Sequence, residues 1–471
     1  MDQKITNPAT LVPLGAVADS SADDIERALT AAAGAAPAWR EVPAAERAAL
    51  LRNIAARIGA AARELAGLSS RESGQPLCES LDAVRAAVAS FELYAARAGQ
   101  NAGDGDGDGD GNGDDRGGAG AGTVAVVAPF NLALPVMAAG AARALAAGRC
   151  VVCKPPIPNP LASLELFKTF EALPAGAAGI VTGGAQVARA LIAHPQIDAA
   201  MFTGSAAEGR ELEDVAGGKV LDLETATGGV HIVCGSADLD LAVPAIAWNR
   251  LMNGGQGWAS GHLYVERSVV AELVDRMHQC IGFLDVDDPA KPSTDLGPLI
   301  SADAARRIED QVGRTLRDGA KLILGGRRFR PSGLPGHFFQ PTILSDVRPG
   351  SLPLREEIAG PVITVTPVAD LATALGLWAE SARSGLRSAG ASIYTGDAEA
   401  AARDLQAVAG GLFRINDPTV GTLGPFSGIP HRAIRLALGA ARTVERSDRQ
   451  IEISPAIERK AWWFPYVDRR A

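Results

Sequence analysis

Between residues 123 and 224, short apolar and β-branched runs alternate with longer Ala- and Leu-rich stretches whose apolar positions recur at helical spacing. Strands are expected over 123–128, 150–154, 179–182, 199–203 and 220–224, with helices over 134–147, 160–173, 187–193 and 206–215 between them. Strict alternation of this kind implies a parallel sheet covered on both faces, with its ligand crevice at the carboxyl ends of the strands. Two amphipathic stretches precede it, 23–35 and 44–69, with Asp23, Asp24 and Glu46 placed where the helix dipole favours acids. A second alternating region runs from Val230 to about Asn416, with strands expected over 263–266, 321–324, 362–367, 392–394 and 412–416. The pattern therefore describes two α/β domains behind a pair of packing helices.

Composition narrows the partners. A chain of 471 residues, 47% hydrophobic and 21% charged, can bury a large core. Its net charge of -9 and the absence of a basic run on any candidate helix argue against nucleic acid or an anionic membrane, and point to small molecules. The start, Met1-Asp-Gln-Lys-Ile-Thr-Asn-Pro, has no basic segment followed by an apolar one, and apolar runs elsewhere are interrupted before they could span a bilayer. A cytoplasmic location is expected. The five cysteines are too scattered for a disulfide framework. Cys150 and Cys153 have the spacing of a redox or zinc pair, but their apolar run reads as a buried strand. The tract Gly103-Asp-Gly-Asp-Gly-Asp-Gly-Asp-Gly-Asn-Gly-Asp-Asp115 lacks the twelve-residue loop and terminal Glu of a calcium site and reads as a solvated loop. No metal site is expected.

The segment Phe202-Thr-Gly-Ser-Ala-Ala-Glu-Gly209 follows one expected strand and opens a helix. Its backbone N–H groups and the helix dipole suit a dinucleotide phosphate, although a tight turn needing two glycines explains the spacing equally well. Other segments lie in order around it: Arg71-Glu-Ser-Gly-Gln-Pro-Leu77, Ala128-Pro-Phe-Asn131, Val152-Cys-Lys-Pro155, Ile180-Val-Thr-Gly183, Gly297-Pro-Leu-Ile-Ser301, Arg355-Glu-Glu-Ile-Ala-Gly-Pro-Val362 and Gly424-Pro-Phe-Ser-Gly428. Together with Ala193-His-Pro-Gln-Ile-Asp-Ala-Ala-Met-Phe-Thr-Gly-Ser205, they resemble the aldehyde dehydrogenase superfamily over nearly the whole chain.

The resemblance implies an aldehyde-dehydrogenase-like α/β fold. A doubly wound dinucleotide-binding domain would comprise residues 1–98 and 123–229, a catalytic-type α/β domain 230–441, and a β oligomerisation arm 99–122 with 442–471. It also implies NAD or NADP as cofactor and a homo-oligomer, dimer or tetramer, with pairing to an active homologue as the alternative. By position, Lys154 would bind the adenosine ribose, Gly204, Ser205 and Gly209 the pyrophosphate, and Glu357 the nicotinamide ribose. Asn131 would donate to an oxyanion and Glu224 would act as general base. Read singly, Asn131 fits a helix cap, Lys154 a solvated cation and Glu224 an ordinary strand-end carboxylate.

The departures fall around the reaction centre. In this family a cysteine stands two residues after the glutamine of the nucleophile loop and attacks the aldehyde. In Asn253-Gly-Gly-Gln-Gly-Trp-Ala-Ser-Gly261 that place belongs to Trp258, whose indole is not nucleophilic. Ser260 is the nearest hydroxyl, and Cys234 and Cys280 are remote in sequence. Ala226 and Thr227 replace glycines, Ala359 replaces a phenylalanine beside the nicotinamide, and Ile157 stands where NAD-preferring members often carry a glutamate. Three functions follow from the resemblance: NAD(P)-dependent aldehyde oxidation without the usual thiol, a silent nucleotide-binding homologue, and a repurposed non-redox enzyme acting on a carbonyl.

Overall fold

The amino terminus forms an antiparallel hairpin, β1 (Asp2–Thr6) with β2 (Pro13–Ala18). Most of its side chains face solvent or are half-buried, so no apolar alternation announces it. The computed structural model describes residues 2–100, 122–224, 230–256, 261–331, 333–383, 390–405, 412–416, 442–446 and 449–453. Four helices follow the hairpin: Ala22–Glu41, Ala44–Ala60, Ala62–Ser73 and Leu77–Gln100. Ser21 and Asp24 close the first with a reciprocal capping box. The single helix expected over 44–69 is thus two, divided at Ala61. No side chain caps that break; Ala61 N donates to Arg57 O and Gly59 O.

The first sheet is parallel throughout. It comprises β3 (Thr123–Val127), β4 (Cys150–Lys154), β5 (Ala178–Ile180), β6 (Ala199–Thr203) and β7 (Val220–Glu224), in the order β5-β4-β3-β6-β7. This is the doubly wound arrangement, with its switch point between β3 and β6. Both central strands, β3 and β4, are buried along their whole length, as strands covered on two faces must be. Cys150 and Cys153, three residues apart on β4, project to opposite faces within the core. Helix Ala133–Ala146 descends closely on this sheet, since a Cβ on Gly140 would lie 2.7 Å from Val126 Cγ1.

The second sheet comprises β8 (Val230–Val233), β9 (His262–Glu266), β10 (Lys321–Leu324), β11 (Thr342–Ser345), β12 (Val362–Val368), β13 (Gly390–Tyr394), β14 (Leu412–Ile415), β15 (Arg442–Arg446) and β16 (Arg449–Ile453). Their order is β10-β11-β12-β9-β8-β13-β14-β16-β15, parallel except where β10 meets β11 and β15 meets β16. Two strands escape the sequence pattern. Both β8 and β11 are four-residue segments buried on both faces, so they carry no alternation. The segment expected in the arm, 442–453, forms β15 and β16, and β16 pairs with β14 of the same chain. Among the described residues no helix is long and apolar enough to cross a membrane. Nor, among them, do three His, Cys, Asp or Glu side chains stand where they could hold a metal ion.

Candidate active site

Register fixes where the crevice lies. Val127 pairs with both Lys154 and Phe202, and Thr203 with Glu224, so the carboxyl ends of β3, β4, β6 and β7 are level. The chain leaves these ends through Asn131, Lys154, Gly204 and Glu224, four of the residues singled out above. Facing them are the segments that lead into β9 and β12 of the second sheet.

The segment before β9 is built on three consecutive left-handed residues. Helix Leu239–Leu251 runs into a turn in which Asn253 has φ 52°, Gly254 φ 65° and Gly255 φ 69°. Asn and Gly are the residues that accept this conformation. A Cβ on Gly255 would lie 2.2 Å from Gly360 O, so this turn lies directly against the segment entering β12. Gln256 ends the turn, with its Oε1 accepting from Ile300 N at 3.0 Å.

Asn131 joins this turn to the first domain. Its Nδ2 donates to Gln256 O at 2.8 Å, and Asn253 Nδ2 donates back to Asn131 O at 3.2 Å. Helix Ala133–Ala146 has no side-chain cap, so the capping alternative for Asn131 does not hold. An amide has two N–H groups, and the one not on Gln256 remains for a carbonyl ligand. Glu79, from helix Leu77–Gln100, completes the clamp by accepting Asn253 N at 2.7 Å. Burial pushes its carboxyl up to about 8.

Arg250 secures the other side of the turn. Its guanidinium is buried, donates from Nε to Val362 O at 2.8 Å and from Nη2 to Ile358 O. A Cβ on Gly261 would come within 2.4 Å of that Nε, so Arg250 touches both the exit from 257–260 and the entry to β12. Burial lowers its pKa to about 10, and nearby Glu357 opposes the shift. Glu357 is exposed at its surface, yet the protein crowded around its carboxyl raises that pKa, with Arg250 opposing. Below the turn, His262 shares a 2.7 Å hydrogen bond between Nδ1 and Thr364 Oγ1, and His231 Nε2 donates to Asn249 Oδ1 at 3.3 Å. Burial lowers these imidazoles to about 3 and about 4, so both are neutral.

On the nucleotide side, Lys154 is buried rather than solvated and donates to Pro155 O and Gly183 O, each at 2.9 Å. Burial lowers its ammonium to about 8, while Glu208 and Asp19 hold it up. Ser205 caps helix Ala206–Ala216, its Oγ accepting Glu208 N at 3.2 Å and donating to Glu208 Oε2 at 2.7 Å. Gly204 is required by packing, because a Cβ would lie 2.4 Å from the Phe202 ring. Gly209 N–H bonds Ser205 O at 2.9 Å in an ordinary helical turn. With Ser205 and Glu208 satisfying each other, the N–H groups of Ala206 and Ala207 are the ones the helix end offers an anion. An ammonium, a helix amino terminus and the Glu357 carboxylate form a donor and acceptor set that fits a dinucleotide.

Comparison with known proteins gives the family and the fold. Residues 1–434 match the model of the aldehyde dehydrogenase family. The chain belongs to that family. It is 31% identical to an NADP-dependent succinate-semialdehyde dehydrogenase of Escherichia coli (strain K12), over 90% of this chain and 88% of the relative. A glutarate-semialdehyde dehydrogenase of Pseudomonas aeruginosa shows the same identity and coverage. Among solved structures, a lactaldehyde dehydrogenase matches with TM-score 0.80 at 28% identity, over 89% of this chain and 88% of that one. A 3,6-anhydro-L-galactose dehydrogenase in complex with NADP matches with TM-score 0.80 at 27% identity and the same coverage. Of these, the succinate-semialdehyde dehydrogenase is named as NADP-dependent and the 3,6-anhydro-L-galactose dehydrogenase holds NADP, and the α/β fold with its doubly wound parallel sheet is theirs.

Of the residues singled out in the sequence, Asn131, Lys154, Gly204 and Glu224 thus stand at or just after the carboxyl ends of β3, β4, β6 and β7, Ser205 and Gly209 at the start of the helix that follows β6, and Glu357 on the segment entering β12. The side chain of Glu224 lies outside the described residues, as do Trp258, Ser260, Ala226, Thr227, the Gly/Asp tract and 424–428. Sequence reasoning assigned Glu79, Arg250 and Asp19 no place in the site, and named Asn253 only as the start of the loop that holds Trp258. Asn253-Gly-Gly carried a readable signal for positive φ, whereas Glu79, in the first turn of helix Leu77–Gln100, carried none. Nothing local marks Arg250, whose role comes from two distant carbonyls.

Proposed function

We propose that this chain is a dinucleotide-binding member of the aldehyde dehydrogenase family that does not oxidise aldehydes through a thiol. One observation carries the reading: two residues beyond Gln256, whose carbonyl is held by Asn131, the sequence has Trp258 where the family has its nucleophile. Retention of Lys154, the capped helix at Ser205 and Glu357 on the opposite side supports nucleotide binding. NAD or NADP, when bound, supplies a hydride acceptor. The chain itself would hold the nucleotide through Lys154, the N–H groups of Ala206 and Ala207, and the Glu357 carboxylate, while Asn131 offers its remaining N–H to a carbonyl oxygen. Small aldehydes and semialdehydes are the compounds to test, since the relatives are named for them.

Calorimetry with NAD and NADP tests the first half of the proposal, and binding of at least one is expected. A panel of aldehydes with either nucleotide tests the second, with no NAD(P)H formed. Formation that is abolished when the five cysteines are blocked, or a covalent thioester trapped on the protein, would remove the reading, whereas formation that survives the block would indicate a cysteine-free oxidoreductase. Trp258→Cys is expected to gain esterase or dehydrogenase activity if the surrounding clamp is intact.

One observation favours a second reading. Asn131 is not spent as a helix cap and keeps a donor for a carbonyl, so a non-redox enzyme using Asn131 and Glu224 is the alternative. Loss of any turnover found on carbonyl compounds in Asn131→Ala, with nucleotide affinity unchanged, would favour it.

A further inference from the structure

In a doubly wound sheet the adenosine ribose lies at the carboxyl end of the second strand, where an acid suits the free 2′-hydroxyl of NAD and a cation suits the 2′-phosphate of NADP. Here that strand is β4, and it ends in Lys154-Pro-Pro-Ile157, with no acid among these residues. A carboxylate reaches this end from elsewhere. The backbone leaving β2 is fastened to the chain beyond β5: Ser20 N donates to Thr182 O at 2.7 Å, Thr182 N to Ser20 Oγ at 2.9 Å, and Thr182 Oγ1 to Ala18 O at 2.7 Å. This fastening sets Asp19 on the rim. Its Oδ1 is 3.4 Å from where a Cβ on Gly183 would stand, and the carbonyl of Gly183 is the one Lys154 Nζ binds. Gln3 Nε2, from β1, donates to the same carboxylate at 3.1 Å and keeps it in place. Glu208 also acts on Lys154 as a negative charge.

We infer that Asp19, assisted by Glu208, makes this crevice select NAD over NADP. The inference rests on the proposed dinucleotide binding and adds the identity of the nucleotide. A 2′-phosphate brought to the end of β4 would meet one ammonium, already donated to two carbonyls, and two carboxylates. Like-charge contact of this kind is costly in a partly enclosed site. The 2′-hydroxyl of NAD instead finds in Asp19 an acceptor, the role that Ile157 cannot fill. This outcome departs from the NADP-dependent relative at 31% identity.

The test is calorimetric titration of the full chain with NAD and with NADP at low ionic strength. NAD is expected to bind about tenfold tighter or better. Asp19→Asn, which keeps the size of the side chain and its contact with Gln3, should close most of that gap by strengthening NADP. Asp19→Ser checks the result without an amide, and a thermal unfolding curve for each variant shows that it folds. A structural role alone would weaken both nucleotides together and leave their ratio unchanged. Equal or tighter binding of NADP by the unaltered chain overturns the inference, as does an unchanged ratio in both folded variants. If neither nucleotide binds, the proposed function falls as well, whereas NAD binding without discrimination overturns only the role of Asp19.

Discussion

Gly255 shows how much a single position carries. Gly255→Ala would put a side chain at φ 69° and a methyl 2.2 Å from Gly360 O, so strain and collision act together. A loss of roughly 2–4 kcal/mol is expected from urea unfolding. Gly254→Ala is the informative neighbour. Its φ is 65°, but the nearest atom to a new Cβ is the side-chain Gln256 Nε2 at 3.3 Å, which can yield. That variant should lose only about 1 kcal/mol. Asn131→Ala leaves the Gln256 carbonyl without its donor and should cost roughly 1–3 kcal/mol, read in the same experiment.

At the scale of elements, one helix is capped by a residue far away in sequence. Helix Leu161–Lys168 begins after Pro160, which has no side-chain cap to give. Glu72 supplies it, with Oε2 accepting Leu161 N at 2.7 Å and Oε1 accepting Ala162 N at 2.8 Å. Glu72→Ala should therefore cost about 2 kcal/mol, and Glu72→Gln less, because an amide keeps one acceptor. Thermal unfolding of the two variants side by side distinguishes these outcomes. The sequence motif containing Glu72 was legible as a family resemblance, but its cap was not, since no rule of spacing links residues 72 and 161.

Over the whole molecule, four buried groups shape the response to pH. Burial raises the carboxyls of Glu72 and Glu79 from 4.5 to about 8 in the fold. The folded chain then binds more protons than the unfolded one between these values, so stability falls as pH rises from about 4.5 to about 8. His231 and His262 act in the other direction. Their folded values of about 4 and about 3 lie below the ordinary 6.5, so stability is lost as pH falls from 6.5 through that range. The two pairs oppose each other between 4.5 and 6.5, which places the plateau there. Unfolding temperatures measured from about pH 3 to about pH 8 should decline on both sides of that plateau, and the double variant Glu72→Gln, Glu79→Gln should flatten the alkaline side. Assembly belongs to this scale too: we propose a homodimer or homotetramer, which sedimentation equilibrium would show, and a mass of one chain would exclude.

The sequence by itself determined the alternation of strands and helices, the ends of β4, β6, β7 and β10, the order of the crevice residues and the replacement at position 258. These are properties of local periodicity and of short contiguous motifs, so they survive without coordinates. Only the tertiary structure decided that Ala61 breaks a helix, that β8 and β11 are strands, and that Asn131 holds Gln256 rather than a helix end. It alone brought Glu79 to Asn253, Arg250 to the entry of β12, and Asp19 to the rim beside Lys154. Apart from the break at Ala61, each of these depends on a hydrogen bond or charge contact between segments distant in the chain, and such contacts leave no period in the sequence.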